Sequence, residues 1–294
     1  MNQELTIGFV GFGEAGSGIA KGLKSAGLTR IFAFDIDPAR VRWRAEETKT
    51  PLVSSNRELA QSARILLSTV TCARAKEAAE QTAPFLTSSH IYADLNSVSP
   101  ALKQEIERVI AAASAGFVEA AVMSPVPPFA HRSPMLLGGK AASEFAEIMT
   151  PFGMRLEVIS EKVGTAAATK MFRSIIVKGL EALMLECVLA ASPYGADERV
   201  FSSLGESFPG IDWQRLASYM VSRVVLHGER RAREMEEVAE TLRGLKIEPI
   251  MAEAAARRQD WCAQLGLSSL FGADGPKTYH EVVERIQAAG TKPA

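Results

Sequence analysis

The sequence predicts an α/β fold, a doubly wound parallel sheet over residues 1–162 followed by an all-helical domain over 163–294. Short apolar β-rich runs alternate with helical patterns through the first half, as successive βαβ units require. A glycine-rich segment joins the first of these runs to the first helix, and after Ser160 the β-type alternation disappears.

Strands are expected at 6–10, 30–34, 65–70, 90–95, 117–122 and 135–137, each an apolar run bounded by turn or polar residues. Helices are expected between them at 13–26, 38–48, 73–82 and 100–113. Pro38 and Pro100 stand at first-turn positions behind the N-caps Asp37 and Ser99. The second domain reads as helices separated by Pro193-Tyr194-Gly195, Phe208-Pro209-Gly210 and Gly244. Its first helix, 164–191, is about 40 Å long at 1.5 Å per residue. It is apolar on most sides, so it must be buried against more than one neighbour. A helical core within the monomer and an interface between copies both satisfy that; a homodimer is expected, and a monomer mass by light scattering would reject it. The final AAGTKPA, 288–294, reads as a frayed tail.

Composition narrows the function. The chain has 294 residues, 47% apolar and 23% charged, which is the make-up of a globular protein with a sizeable core. Its 33 lysines and arginines nearly cancel 34 aspartates and glutamates, leaving a formal net charge of -1 and no field that would attract nucleic acid. The most apolar stretch, Ile175 to Ala191, is interrupted by Lys178, Glu181 and Glu186, which are costly at membrane depth, so no membrane partner is expected. Cys72, Cys187 and Cys262 form no CxxC pair. Neither a disulfide framework nor a metal site is expected, and a reducing cytoplasm fits. The opening MNQELTIGFVGFG lacks the basic n-region and apolar core of a signal peptide. The expected partner is a small molecule.

Gly11-Phe12-Gly13-Glu14-Ala15-Gly16 follows the first strand and opens a helix. In that context G-x-G-x-x-G marks a dinucleotide site and makes the sheet Rossmann-type. Gly11 permits a tight turn, Gly13 lets the backbone approach a pyrophosphate, and Gly16 lets the helix sit close, so that the helix N-terminus faces the phosphates. Cofactor contacts are expected along all six residues. Asp35, ending the second strand, suits the ribose hydroxyls of NAD. Arg40, Arg42 and Arg44 just downstream leave NADP open, because a guanidinium binds a 2′-phosphate well; a solvated helix face is their other reading.

Asn96 and Ser97 lie past the C-terminal end of a strand, the edge at which open α/β sheets bind ligands, with helix capping as the competing role for Ser97 and Ser99. The segment from Ser124 to Pro134 carries four prolines on the same edge and is read as a stiff pocket wall, with His131 a loop residue. In the second domain Arg223, His227, Arg230, Arg231 and Arg233 cluster, and 223, 227, 230 and 231 share a face by spacing. They suit either an anion clamp, to which His227 and Arg231 would contribute, or a basic face paired with Glu229 and Glu234.

The segment IGFVGFGEAGSGIAKGLKSAG resembles the β-hydroxyacid dehydrogenases, the family of 3-hydroxyisobutyrate and 6-phosphogluconate dehydrogenases. LLSTVT at 66–71 resembles the family strand whose end passes the cofactor, which implies contacts from Thr69 and Val70. DLNSVSP at 94–100 resembles the family's Asp-Ser-Ser-Thr-x-Ser-Pro segment near the nicotinamide, implying Asn96 on the cofactor and Ser97 on the substrate. Gly164-Thr-Ala-Ala-Ala-Thr-Lys170 resembles the Gly-x-Gly-x-x-x-Lys helix start whose lysine is the catalytic acid/base, implying that role for Lys170. The family's substrate clamp, Asp-x-Pro-Val-Ser-Gly-Gly, appears as Glu119-Ala-Ala-Val-Met123-Ser124-Pro125. Its glycine donors are thus replaced, with Met123 and Ser124 at substrate positions. The asparagine four residues after the lysine is Ser174 here. The resemblance covers the first 190 residues, and HGERRAREMEEVAETL at 227–242 is similar to a branch with a helical C-terminal domain.

A dehydrogenase of this kind removes a proton from an alcohol as hydride leaves the same carbon, so it needs a group of tunable pKa beside the nicotinamide. A lysine at a helix start suits that need, since the helix dipole and burial both disfavour its ammonium. Ser174 shares the face of Lys170 and would bond the same substrate or its own helix backbone. The expected activity is NAD(P)-dependent interconversion of a small β-hydroxy acid, or a related alcohol, with its aldehyde or keto form. The substrate is expected to be a carboxylate or other anion. Imine reduction on the same fold and a nucleotide-binding sensor without catalysis are the alternatives, and the retained Lys170 counts against both.

Overall fold

A computed structural model describes residues 5–272 and 274–288. Of the expected tail at 288–294, residues 289–294 lie outside the described residues, and Ala288 ends the last helix. The chain forms two compact units, 1–170 and 171–294.

The first unit contains β1 (Ile7–Val10), α1 (Glu14–Ser25), β2 (Ile31–Phe34), α2 (Pro38–Glu47), α3 (Asn56–Ser62), β3 (Ile65–Ser68), α4 (Ala75–Thr82), β4 (Ile91–Asp94) and α5 (Pro100–Ala112). It continues with β5 (Gly116–Val122), a one-turn α6 (Val126–Phe129), β6 (Met135–Gly138), α7 (Ala142–Met149) and β7 (Leu156–Ser160), then the start of α8 (Thr165–Ala191). The strands form one seven-stranded sheet in the order β2-β1-β3-β4-β5-β6-β7. The first five strands are parallel, β6 runs antiparallel to β5, and β7 is parallel to β6.

Alternate strand residues face opposite ways, and both faces are apolar. Ile7, Phe9, Ile65, Leu67, Ile91 and Ala93 pack with Ile19, Leu23, Val41 and Phe145 from α1, α2 and α7. Val10, Leu66 and Tyr92 pack with Leu59, Ala79, Ile106 and Ile110 from α3, α4 and α5. This is the doubly wound arrangement, and it brings the loops after β1 to β5 to one edge of the sheet. The caps expected from sequence form: Asp37 accepts from the Arg40 amide at 3.1 Å and Ser99 from the Leu102 amide at 3.3 Å.

The sequence named neither α3, α7 nor β7. Helix α3 has seven residues, too short for its period to register, and β7 is an edge strand with Glu157 and Val158 exposed, which blurs its alternation. The unit boundary falls after Lys170, inside α8, whereas the sequence places it before that helix at 162. The cause is local, because the first turn of α8 is hydrogen-bonded to β5.

The second unit is helical: the remainder of α8, then α9 (Asp197–Ser207), α10 (Trp213–Gly244), α11 (Ile250–Gln264) and α12 (Tyr279–Ala288). Leu185 and Val188 of α8 pack with Val221 and Val224 of α10, Cys262 of α11 and Val282 of α12. Gly228 lets α10 and α11 approach, since a Cβ there would lie 2.8 Å from the Gln259 carbonyl oxygen. Among the described residues no helix is long and apolar enough to cross a membrane.

Candidate functional site

The turn after β1 is built by contacts that leave no room for a side chain at Gly11 or at Gly16. Gly11 has φ +85°, and a Cβ there would lie 2.6 Å from Val70 Cγ1. The Thr69 hydroxyl donates to the Gly11 carbonyl at 2.7 Å, and a Cβ on Gly16 would lie 2.6 Å from that hydroxyl oxygen. Thr69 and Val70, expected on the cofactor, thus wedge the turn from β3. Glu14 is exposed and Ala15 half-buried in the first turn of α1. Phe12 is also expected on the cofactor. Its ring is fully buried and packs edge-on against Phe9, at 5.8 Å between centroids, leaving only its backbone toward the loop.

Asp35 ties this turn to the end of β2. Its Oδ2 accepts from the Phe12 amide at 2.7 Å and its Oδ1 from the Asp37 amide at 3.0 Å. Each oxygen keeps a second lone pair for another donor. Asp35 also lines a cavity of about 660 Å³ with Phe34, Ile36, Pro38, Arg42 and Val53. Of the three arginines downstream, Arg42 lines that cavity, while Arg44 lies over the Trp43 ring at 4.2 Å.

The structure gives four reasons to fit a dinucleotide here. Helix α1 has no side-chain cap, so its first amides are available to an anion. A Cβ on Gly13 would meet nothing within 4 Å, which leaves the backbone there open to approach. Apolar walls and a carboxylate share the cavity at the end of β2. Asn96 Oδ1, buried at the end of β4, has no hydrogen-bond partner among the described residues.

Asn96 is held from below by a polar network the sequence did not reveal. Its Nδ2 donates to Ser68 Oγ at 2.9 Å and to Asp94, and Asp94 pairs with Lys103 at 3.0 Å, both side chains 1% exposed. Lys103 also donates to the Asp94 carbonyl at 2.7 Å. Next along, the Lys170 Nζ donates to Ser97 Oγ at 2.6 Å, and the Cys72 thiol donates to the Ser97 carbonyl at 3.0 Å. Ser99 is therefore the N-cap of α5, and Ser97 faces Lys170. Ser174 lies one turn farther along α8, in the second unit.

Met123 and Ser124 are half-buried after β5, with the Met123 amide bonded to the Pro134 carbonyl at 2.8 Å. The proline-rich loop they open packs along α1. Val126 abuts Gly18, and the buried His131 ring lies where a Cβ on Gly22 would come within 2.0 Å of Nδ1. Burial and then Arg132 hold the His131 imidazole below the ordinary histidine range. The unfolded chain therefore binds the proton more readily, and stability is lost as pH falls below about 6.5. Thermal unfolding followed from pH 7 to pH 5 should show a steeper fall for the wild type than for His131→Asn; equal slopes would contradict this.

The anion clamp expected in the helical unit is corrected at Arg231. This side chain is 8% exposed and bonds both carboxylate oxygens of Glu181 on α8, so its charge is already spent. Spacing along α10 showed which residues share a face, but nothing in it located Glu181 opposite. His227 is half-buried on α10, and burial followed by Arg223, Arg230 and Arg231 pushes its imidazole below the ordinary range.

Residues 6–160 match the family model described as the NAD binding domain of 6-phosphogluconate dehydrogenase, and residues 191–262 match one described as a domain of unknown function (DUF1932). The chain is similar to a solved structure of a conserved hypothetical protein from Sinorhizobium meliloti 1021, with 39% identity over 88% of each chain and a TM-score of 0.81. It is also similar to the conserved protein MTH1747, described as structurally similar to 3-hydroxyacid dehydrogenases, with 29% identity, 90% of this chain and 98% of that chain covered, and a TM-score of 0.78. The mitochondrial 3-hydroxyisobutyrate dehydrogenase of Drosophila melanogaster is 25% identical over 215 residues, spanning 70% of this chain and 64% of that protein. Matched over more than half of its length, and carrying the fingerprint turn on a doubly wound sheet, the chain belongs to the β-hydroxyacid dehydrogenase family as a nicotinamide-dinucleotide-binding oxidoreductase with a helical C-terminal domain.

Proposed function

We propose that the protein interconverts a small β-hydroxy acid, or a related alcohol, with its aldehyde or keto form, with Lys170 as general acid/base and NAD as the cofactor. The observation that carries this is the 2.6 Å bond between Lys170 Nζ and Ser97 Oγ at the edge of the sheet where the fingerprint turn lies. When bound, the nicotinamide supplies the hydride acceptor or donor.

The chain's own residues supply the rest. The free amides at the start of α1 hold the pyrophosphate, and Asp35 accepts from the ribose hydroxyls. The orphaned Asn96 Oδ1 accepts one further N–H, which orients the ring end of the cofactor. In oxidation the Lys170 amine takes the substrate hydroxyl proton, and in reduction it returns it. Ser97 holds that amine and can donate its own proton to the same substrate oxygen. Met123 and Ser124, after β5 on the same edge, are assigned to the substrate side. A reducing cytoplasm fits the three cysteines, Cys72, Cys187 and Cys262, which form no CxxC pair.

Titration with NADH and NADPH, followed by the fluorescence of the bound cofactor, tests the assignment. NADH should bind more tightly, and Asp35→Ala should weaken it by about ten- to a hundredfold, the worth of a hydrogen bond to a charged group. Tighter NADPH binding, lost in Arg42→Ala, would move the assignment to NADP. Binding of neither would overturn it.

A further inference from the structure

Strand β5 carries a carboxylate where an apolar side chain would be expected. Glu119 is 0% exposed, paired in register with Asp94 on β4 and Gly138 on β6. A buried carboxylate must find donors, and this one finds three backbone amides. Its Oε1 accepts from Gly164 at 2.8 Å and Ala166 at 2.9 Å, and its Oε2 from Ala167 at 3.3 Å.

Those amides belong to the entry of α8. The first amides of a helix have no partner within it, and here a side chain from a strand 45 to 48 positions away satisfies them. The surroundings are shaped to admit it. A Cβ on Gly138 would lie 2.3 Å from Glu119 Oε1, so only glycine leaves room. Gly164 has φ +102°, and Gln104 Nε2 bonds the Val163 carbonyl at 3.1 Å, which fixes the chain as it enters the turn. Lys170 follows within the next turn, with its amine on Ser97.

We infer that Glu119 is a positioning residue for Lys170: by clamping the first turn of α8 to β5 it sets the Lys170 amine against Ser97. The inference rests on the reading of Lys170 as the acid/base, but its test does not. Glu119→Gln keeps the shape, removes the charge and leaves one carbonyl oxygen to accept, so that its NH2 is set against at least the Ala167 amide. Lysines carrying 13C-methyl groups, with the Lys170 signal assigned by its loss in Lys170→Arg, report this site directly by NMR.

In folded Glu119→Gln the Lys170 midpoint should fall by about half a pH unit or more, because a negative charge at the helix start is gone. Its methylation rate should rise severalfold as the amine leaves Ser97. A merely structural role would lower stability and leave both unchanged in the folded protein, which would overturn the inference. If Glu119→Gln does not fold, Glu119→Asp, which keeps the charge but withdraws the oxygens by one methylene, tests the clamp through the methylation rate alone, which should again rise severalfold. The wild type supplies an arm that needs no variant. First-turn amides ordinarily exchange quickly, so those of Gly164, Ala166 and Ala167 should be slow, and rapid exchange there would sink the inference. A shifted Lys170 in Glu119→Gln beside a fully active Lys170→Ala would keep the clamp and refute the acid/base reading instead.

Discussion

Lys170→Ala should lower kcat by about 10²- to 10⁴-fold, the usual contribution of a positioned general acid or base. Cofactor affinity should change little, because the turn at Gly11 to Gly16, Asp35 and Thr69 is braced without Lys170. Lys170→Arg sharpens the expectation. An arginine can still donate to Ser97 Oγ, yet it stays charged at any working pH and so has no proton to exchange. Both variants should therefore bind NADH and fail in turnover. Steady-state rates beside cofactor titrations decide it, and a Lys170→Arg variant within tenfold of wild type would remove Lys170 from the chemistry.

The largest effect on stability should come from Arg231→Met. Glu181 is 1% exposed, and burial raises its carboxyl above the usual range even though Arg231 opposes that rise. Removing Arg231 leaves a buried carboxylate without its bonded counter-charge, with only Arg223 and Lys178 acting on it through space, a change that costs about 3–5 kcal/mol. The sign with pH follows from the raised value. A carboxyl whose pKa is higher folded than unfolded loses stability as pH rises from the unfolded value toward the folded one, so the deficit should be smallest in acid and grow toward neutrality. Glu181→Leu with Arg231→Met should recover most of the loss, because a well-packed apolar pair replaces an ion pair at little cost. Urea unfolding of the wild type and the two variants at two pH values would show it, and an Arg231→Met variant within 1 kcal/mol of wild type would contradict the burial of the pair.

The features legible in the sequence were those in which spacing alone dictates structure. Gly11, Gly13 and Gly16 fix a turn whatever surrounds them, and Asp37-Pro38 and Ser99-Pro100 mark helix starts by local chemistry. Lys170 is named through its motif, and its bond to Ser97 joins two segments that the sequence names separately. What escaped depended on partners distant along the chain. Lys103 belongs to α5, where spacing reads a lysine as solvated, yet it ends on Asp94. Glu119 left one signal, a lone carboxylate within GFVEAAV, which demanded buried donors without saying where they lay. Arg231 was misread for the same reason, since a helix face is visible in sequence and the helix opposite is not.

The central claim is hydride transfer at the edge of the sheet where Lys170 meets Ser97. Its most direct test is the nicotinamide absorbance of the wild-type protein, at high concentration with NAD and then NADP, against a panel of β-hydroxy acids and the corresponding aldehydes and keto acids, with Lys170→Ala alongside. A change in absorbance with at least one β-hydroxy acid that Lys170→Ala nearly abolishes is the predicted result. No change with any member of the panel, in a protein that still binds the cofactor, would contradict it.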